Sequence, residues 1–211
     1  SLVKAFQENK DVHRITASNL FGVDYDKVTK QQRAAAKTVN FGIIYGMGRY
    51  GLSQGLRIPV DVAQTFIDTF YETYPKIKTF YDTYLKEGKE NGYVETILGR
   101  RRNTFEYPGQ KFIDNNLRRV LINYPIQGSA ADLMKKAMVS IQKEILDKDP
   151  SVKLLLQIHD DLVFEFDEKK NLEEFIKRVR EVMCLVYPLS VPIEVDVKVG
   201  KRWGEMEELK S

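Results

Sequence analysis

The chain has 211 residues, 43% of them hydrophobic and 30% charged, and its longest apolar runs fall far short of the roughly 18 residues of a membrane span. That composition excludes disordered, collagen-like and transmembrane classes, and on a prior of about 150 residues per domain it means one domain or two tightly joined subdomains. Thirty-three Lys and Arg against thirty Asp and Glu leave a net charge of +3, so any case for a nucleic-acid partner rests on where the charges sit. The lone cysteine, Cys184, lies in the apolar run Val182–Val186; this leaves no disulfide framework or Cys-based zinc site and suits a reducing, intracellular compartment. Ser1, Leu2, Val3 and Lys4 carry no initiator Met, basic n-region or h-region, which predicts no targeting peptide and a piece cut within a helix.

The first half reads as helix. Asp11 is placed to cap a helix carrying Val12, Ile15, Leu20 and Phe21 and stopped by Gly22, and Thr29 to cap the next, Lys30 to about Tyr45. Gly46, Gly48 and Gly51 then predict a break. Pro59 opens a helix with Val62, Phe66, Ile67 and Phe70 on one side, and Pro75 opens another that closes at Asn91 and Gly92. The second half is mixed. Tyr93–Leu98 alternates as a strand, Gly99 turns it, and Thr104–Tyr107 is its expected return. Helices are predicted from about Phe112 to Tyr124, ended near Pro125, and from about Ser129 to Leu146. Val152–Ile158 and Leu162–Phe166, separated by His159, Asp160 and Asp161, predict a tight hairpin of buried strands with acidic residues at its tip. Asn171–Tyr187 gives one more amphipathic helix, and Val191–Val199 alternates as a last strand. Helices followed by strands mixed with helices argue an α+β fold rather than a doubly wound sheet.

Three constellations could carry chemistry. Arg33, Lys37, Phe41 and Tyr45 recur every four residues and so share one helix face, with about 40° of drift per step. The cationic end suits a polyphosphate and the aromatic end a base or ribose; the same spacing also fits an amphipathic helix with two solvated cations and two core aromatics. Asp160 and Asp161 at a strand turn could offer oxygens to Mg²⁺ beside a phosphate, or could simply be good turn formers. Asn123 and Gln127, near a helix junction and preceded by Arg118 and Arg119, could bond base edges while the arginines meet phosphates. Arg100, Arg101 and Arg102 could likewise track a backbone or form a solvated turn. His13 could contact a phosphate or be structural.

Together these residues resemble the family A DNA polymerases, the bacterial DNA polymerase I group. QRAAAKTVNFGIIYGMGRY at Gln32–Tyr50 is similar to the family's motif B, the nucleotide-binding helix of the fingers, and LLQIHDDLVFEF at Leu155–Phe166 to its motif C. DVHRITA from Asp11, YVETILGRRR from Tyr93 and INYPIQGSAADL from Ile122 extend the resemblance over nearly the whole chain. It implies a helical fingers subdomain over residues 1–110, with its nucleotide-binding helix at 29–45, and over 111–211 the C-terminal part of an antiparallel-sheet palm with packed helices, motif C forming the hairpin 152–166. It further implies that His13, Arg33, Lys37, Phe41 and Tyr45 bind the incoming dNTP, with Phe41 packing on the sugar, sensing the 3′-hydroxyl and discriminating against dideoxynucleotides, and Tyr45 stacking at the templating position. Arg119, Asn123, Gln127 and His159 would contact primer-template DNA. Asp160, Asp161 and Lys37 would be catalytic, with Asp160 the metal ligand. The implied reaction is two-metal phosphoryl transfer: one Mg²⁺ lowers the pKa of the primer 3′-hydroxyl and the other organises the triphosphate and the leaving pyrophosphate.

The chain departs from the family's pattern in three ways. Motif C usually ends in Glu, and Asp161 is one methylene shorter, so a contact that Glu makes directly would pass through water here. Arg118 stands where a Glu is common. No DYSQIELR-like motif A, with its second metal-binding aspartate, occurs in these 211 residues, and neither does a thumb. One aspartate pair supplies too few oxygens for two hard cations, so the chain alone is expected to be inactive, its missing portion lying in cis or on another chain. The alternatives are a non-catalytic nucleotide- or DNA-binding fragment and a relative of the single-subunit RNA polymerases; Phe41 and the HDD turn before LVFEF favour the DNA enzyme. No membrane partner is expected, and the compartment is the cytoplasm, the nucleoid or an organelle interior.

Overall fold

The structure, a computed structural model, describes residues 2–104 and 113–209. The chain divides into two compact units, Ser1–Ser129 and Ala130–Ser211. The boundary predicted from sequence at 110/111 lies outside the described residues.

In the first unit, α1 (Leu2–Gln7) precedes α2 (Val12–Phe21), whose N-cap Asp11 accepts the backbone N–H groups of His13 and Arg14 and whose end is closed by Gly22 in the left-handed conformation. α3 (Lys30–Ile44) starts with a capping box: Thr29 accepts the Gln32 N–H and the Gln32 side chain accepts the Thr29 N–H. Gly46 and Gly48 break the chain as predicted, but Gly51 sits inside α4 (Arg49–Leu56). The cost of an interior glycine, about 1 kcal/mol, is outweighed there by full burial of Leu52. α5 (Val60–Thr73) follows Pro59, and Pro75 begins α6 (Pro75–Asn91). The core gathers Val39 and Ile43 of α3, Leu52, Ala63 and Phe70 with Tyr74; Thr16 and Tyr74 share a buried hydroxyl hydrogen bond of 3.1 Å.

β1 (Tyr93–Glu95) pairs antiparallel with β2 (Arg101–Asn103), earlier than the return strand expected over 104–107, which from residue 105 lies outside the described residues. The helix expected to start at Phe112, also outside them, is α7 (Asn115–Ile141), and it runs straight through Pro125 to a π-helical turn at Gln142–Leu146. Two predicted helices are thus one. Proline removes one ladder N–H, but Leu121 and Ile122 are buried before it, and Ser129, whose hydroxyl donates to the Pro125 carbonyl, is buried after it; packing on both sides outweighs the break.

In the second unit, β3 (Lys153–Ile158) and β4 (Asp161–Glu165) form the expected hairpin, with a register shift between Leu154 and Leu156. The strands are less buried than their apolar sequence predicts. Leu154, Leu162 and Phe164 pack on Ile141, Ile145, Val152 and Val179, whereas Leu155 is 51% exposed. A two-stranded ribbon among the described residues covers one face only. α8 (Leu172–Cys184), capped by Asn171, lays Phe175 edge-on to Phe164 and stacked on Phe166. The expected strand 191–199 shrinks to β5 (Lys198–Val199), paired with β6 (Glu207–Glu208). Residues 191–199 do alternate between half-buried and exposed; the Val197 carbonyl accepts from the Leu209 N–H at 2.8 Å, just beyond the β5–β6 ladder, but no described strand pairs with 191–196. The described elements are therefore α+β, with three two-stranded antiparallel sheets. No helix among the described residues is long and apolar enough to cross a membrane.

Candidate functional site

The i,i+4 stripe of α3 lies on the surface. Ala36, Val39, Asn40 and Ile43 take the buried side of the helix, which leaves Arg33, Lys37 and Phe41 outside, with Tyr45 at the C-cap. Phe41 and Tyr45 are each 44% exposed, so they are not core aromatics. The two rings are nearly parallel, 13° apart with centroids at 6.3 Å, and the Lys37 ammonium lies 5.8 Å from the Phe41 centroid.

Two residues before and in α2 complete this surface. Asp11 Oδ2 accepts from Arg33 Nε at 2.5 Å, which fixes the guanidinium beside the stripe. Burial pushes the Asp11 carboxyl up, but the Arg33 guanidinium and the N–H groups of Arg14 and His13 outweigh it and hold it below the usual carboxylate range. His13 packs its ring 5.6 Å from Phe41, and Asn40 Nδ2 meets its Nδ1 at 3.0 Å. Burial, then the cations Arg33 and Lys37, lower the imidazole's pKa against the opposing pull of Asp11. The structure thus brings His13, Arg33, Lys37, Phe41 and Tyr45 onto one exposed surface with two cations at one end and two rings at the other.

Arg119, Asn123 and Gln127 fall on one face of α7 by the same spacing. Arg118 and Arg119 line a cleft of about 320 Å³ together with Gly46, Gly48, Tyr50, Asn115 and Ile122. Gly46 has φ +76°, and a Cβ there would meet Ile122 Cδ1 at 2.9 Å, so both the turn after α3 and its closeness to α7 require glycine. The arginine triplet is tied to the protein. Arg100 Nη2 donates to the Gly128 carbonyl at 3.0 Å with its guanidinium 5.3 Å from the Tyr124 centroid, and Arg101 lies 4.2 Å from the Tyr93 centroid and donates to Glu95 at 2.6 Å.

In the second unit Ile158 pairs with Asp161, which leaves His159 and Asp160 as the hairpin's two-residue turn. His159 has φ +54°, and Gln157 Nε2 donates to its carbonyl at 2.6 Å. Asp160 and Asp161 are exposed, adjacent, and free of any ion pair with a described residue. Their hard oxygens suit Mg²⁺, but no group of three or more His, Cys, Asp or Glu that could hold a metal occurs among the described residues. The pair fits a metal as part of a ligand set only.

Sequence reasoning missed Asp11 and Asn40. Asp11 carried only the signal of a helix cap, and Asn40, between stripe positions, carried only a polar residue on a face otherwise apolar at Ala36, Val39 and Ile43.

Comparison with known proteins places the chain. The model of DNA polymerase family A matches residues 1–205. The thermostable DNA polymerase I of Thermus aquaticus is 42% identical over 209 residues, covering 99% of this chain and 25% of that protein. DNA polymerase I of Chloroflexus aurantiacus is 42% identical over 210 residues, 99% of this chain and 22% of that protein. The polymerase domain of Pol1 from M. smegmatis, solved in complex with DNA primer-template and dNTP, superposes with a TM-score of 0.82 at 34% identity over 92% of this chain and 34% of its own. The chain spans about a quarter of the length of these curated relatives. On the extent of these matches, the chain belongs to DNA polymerase family A.

Proposed function

We propose that the chain supplies the fingers, residues 1–110, and the C-terminal part of the palm, residues 111–211, of a template-directed DNA polymerase acting in replication and repair within the cytoplasm or nucleoid. The reaction is nucleotidyl transfer from a dNTP to a primer 3′-hydroxyl. The observation that carries this reading is the exposed surface of His13, Arg33, Lys37, Phe41 and Tyr45, in which cations and rings are arrayed as a triphosphate and a nucleoside are. The structural neighbour's complex with primer-template and dNTP supports both ligands as partners here. In this reading Arg33, Lys37 and His13 hold the triphosphate, Phe41 packs on the sugar, Tyr45 stacks at the templating position, and Arg119, Asn123, Gln127 and His159 position the duplex.

Asp160, beside Asp161, would hold Mg²⁺, and two such ions supply Lewis-acid activation of the 3′-hydroxyl and neutralisation of the leaving pyrophosphate. Among the described residues these carboxylates make only part of a ligand set, and in this reading the remaining oxygens come from the motif A that the sequence lacks. The chain alone is therefore inactive, and activity needs motif A and the thumb.

Primer extension with Mg²⁺ and four dNTPs, run with this chain alone and with a polypeptide bearing motif A and thumb, tests the proposal. Extension is expected only in the mixture and is lost with Asp160→Ala while DNA binding persists. Nucleotide binding without extension in either arm would leave the alternative, a binding fragment; full activity of Asp160→Ala would overturn the metal assignment.

A further inference from the structure

Asn40 is 3% exposed and sits on the inward side of α3, whose neighbouring buried positions are Ala36, Val39 and Ile43. An apolar side chain would fill this place without a desolvation penalty, whereas Asn40 leaves its own Oδ1 buried with no partner among the described residues. What the amide does make is one contact, Nδ2 to His13 Nδ1 at 3.0 Å. An amide NH₂ donates and cannot accept, so the nitrogen facing it must be the bare one. The tautomer of a neutral imidazole is set by the bond its other nitrogen makes.

We propose that Asn40 is the positioning residue of His13, holding the imidazole as the Nε2–H tautomer so that its free edge presents a donor to the triphosphate. The inference rests on the reading that His13 meets that group. Phe41, next along the helix, packs against the same ring at 5.6 Å and limits its rotation. The charged groups bearing on His13 are Asp11 before α2 and Arg33 and Lys37 on α3. Burial and the two cations outweigh Asp11 and lower the ring's pKa from its ordinary value, which favours the neutral form, and a neutral ring has one N–H to give. Were that proton on Nδ1, it would confront the Asn40 NH₂ and leave a bare nitrogen towards the phosphates, a repulsion instead of a bond.

Long-range ¹H–¹⁵N correlation on ¹⁵N-labelled chain at neutral pH reads the tautomer directly. A bare Nδ1 and protonated Nε2 at His13 are expected; an Nδ1–H tautomer, or the averaged mixture of free histidine, overturns the proposal. Because this uses the unaltered sequence, no folding defect in a variant enters it. In the reconstituted extension reaction, Asn40→Leu is expected to raise the dNTP KM about tenfold with little change in kcat, the worth of one hydrogen bond, and to have no further effect in a His13→Ala background. An unchanged KM in His13→Ala alone would sink the triphosphate reading instead. An elevated KM in His13→Ala with none in Asn40→Leu, or an Asn40→Leu effect equal in both backgrounds, would sink the positioning role.

Discussion

The Tyr81 hydroxyl of α6 donates to the Ile44 carbonyl at 3.0 Å and lies 3.3 Å from the Ile43 carbonyl, closing the C-terminal end of α3 from a different helix. The last carbonyls of a helix have no intrahelical partner, and here a buried phenol supplies one just before Tyr45. Burial pushes the Tyr81 pKa up, so the group remains a donor across the working pH range. Tyr81→Phe keeps the packing and removes the donor. It is expected to cost about 1–2 kcal/mol, read as a lower urea midpoint with an unchanged slope. An unaltered midpoint would show that these carbonyls find other partners.

Gly128→Ala tests the seat of the β1–β2 hairpin on α7. Alanine is ordinarily better than glycine inside a helix by about 1 kcal/mol. Here its methyl would lie 2.7 Å from Thr96 Cγ2 and 3.3 Å from Arg100 Nη2, and Thr96 is a stiff, buried, β-branched residue that cannot swing aside. The hairpin is also bound at this place by Ile97 N–H to Ser129 Oγ at 2.9 Å and by Arg100 to the Gly128 carbonyl. Overpacking wins, with an expected net loss of about 1–3 kcal/mol in denaturant unfolding. A stabilised variant would mean that the hairpin yields.

The sequence carried what local chemistry decides. Asp11 and Thr29 announced their helices because capping needs only residues three positions apart, and the fourfold spacing of Arg33, Lys37, Phe41 and Tyr45 placed them on one face. Whether that face was core or surface depended on what α2 and α5 cover, which spacing cannot show. Pro125 misled for the same reason: its break is local, while the burial of Leu121 and Ser129 that overrides it comes from elsewhere in the chain. The shortened last strand failed because a ladder needs a neighbour. The pairs Asp11–Arg33 and His13–Asn40, 22 and 27 residues apart in sequence, leave no periodic trace.

Asp149 gives the second unit an acid limb. The hydrogen bond from Lys170, at 2.6 Å, and then that from Ser151 hold its carboxyl at about 2, below an unfolded value of about 3.9. A depressed folded pKa favours the native state above the unfolded pKa and stops doing so as pH falls through the folded one. Thermal midpoints of the second unit are therefore expected to be flat from about pH 7 to 5 and to fall between about pH 4 and 2. Asp149→Asn should lower the midpoint at pH 7 and flatten that fall. A parallel acid limb in the variant would assign it to other carboxylates.

Lys37 has no carboxylate partner among the described residues, and its exposed ammonium is held over Phe41 rather than in an ion pair. A cation so left is free to meet a phosphate. Lys37→Ala is expected to leave stability within about 0.5 kcal/mol while lowering kcat/KM for dNTP by about tenfold to a hundredfold, the range of one charge-assisted hydrogen bond. Retained kcat/KM would remove Lys37 from the triphosphate site.

Phe41→Tyr tests the proposed sugar-packing role of Phe41. Phe41 is 44% exposed, stacked on Tyr45 and flanked by His13, and belongs to none of the buried core clusters, so an added hydroxyl is not placed in a core. A phenylalanine offers the nucleotide sugar only apolar contact, and a sugar lacking its 3′-hydroxyl loses a polar group that the bare ring does not replace. A tyrosine hydroxyl restores a hydrogen-bonding group on that ring. The ratio of deoxy- to dideoxynucleotide incorporation in the reconstituted reaction is expected to fall by about tenfold or more, with deoxynucleotide incorporation itself little changed, because the gain applies only where the hydroxyl is missing. An unchanged ratio would place the sugar away from Phe41 and require a different pose of the nucleotide along α3.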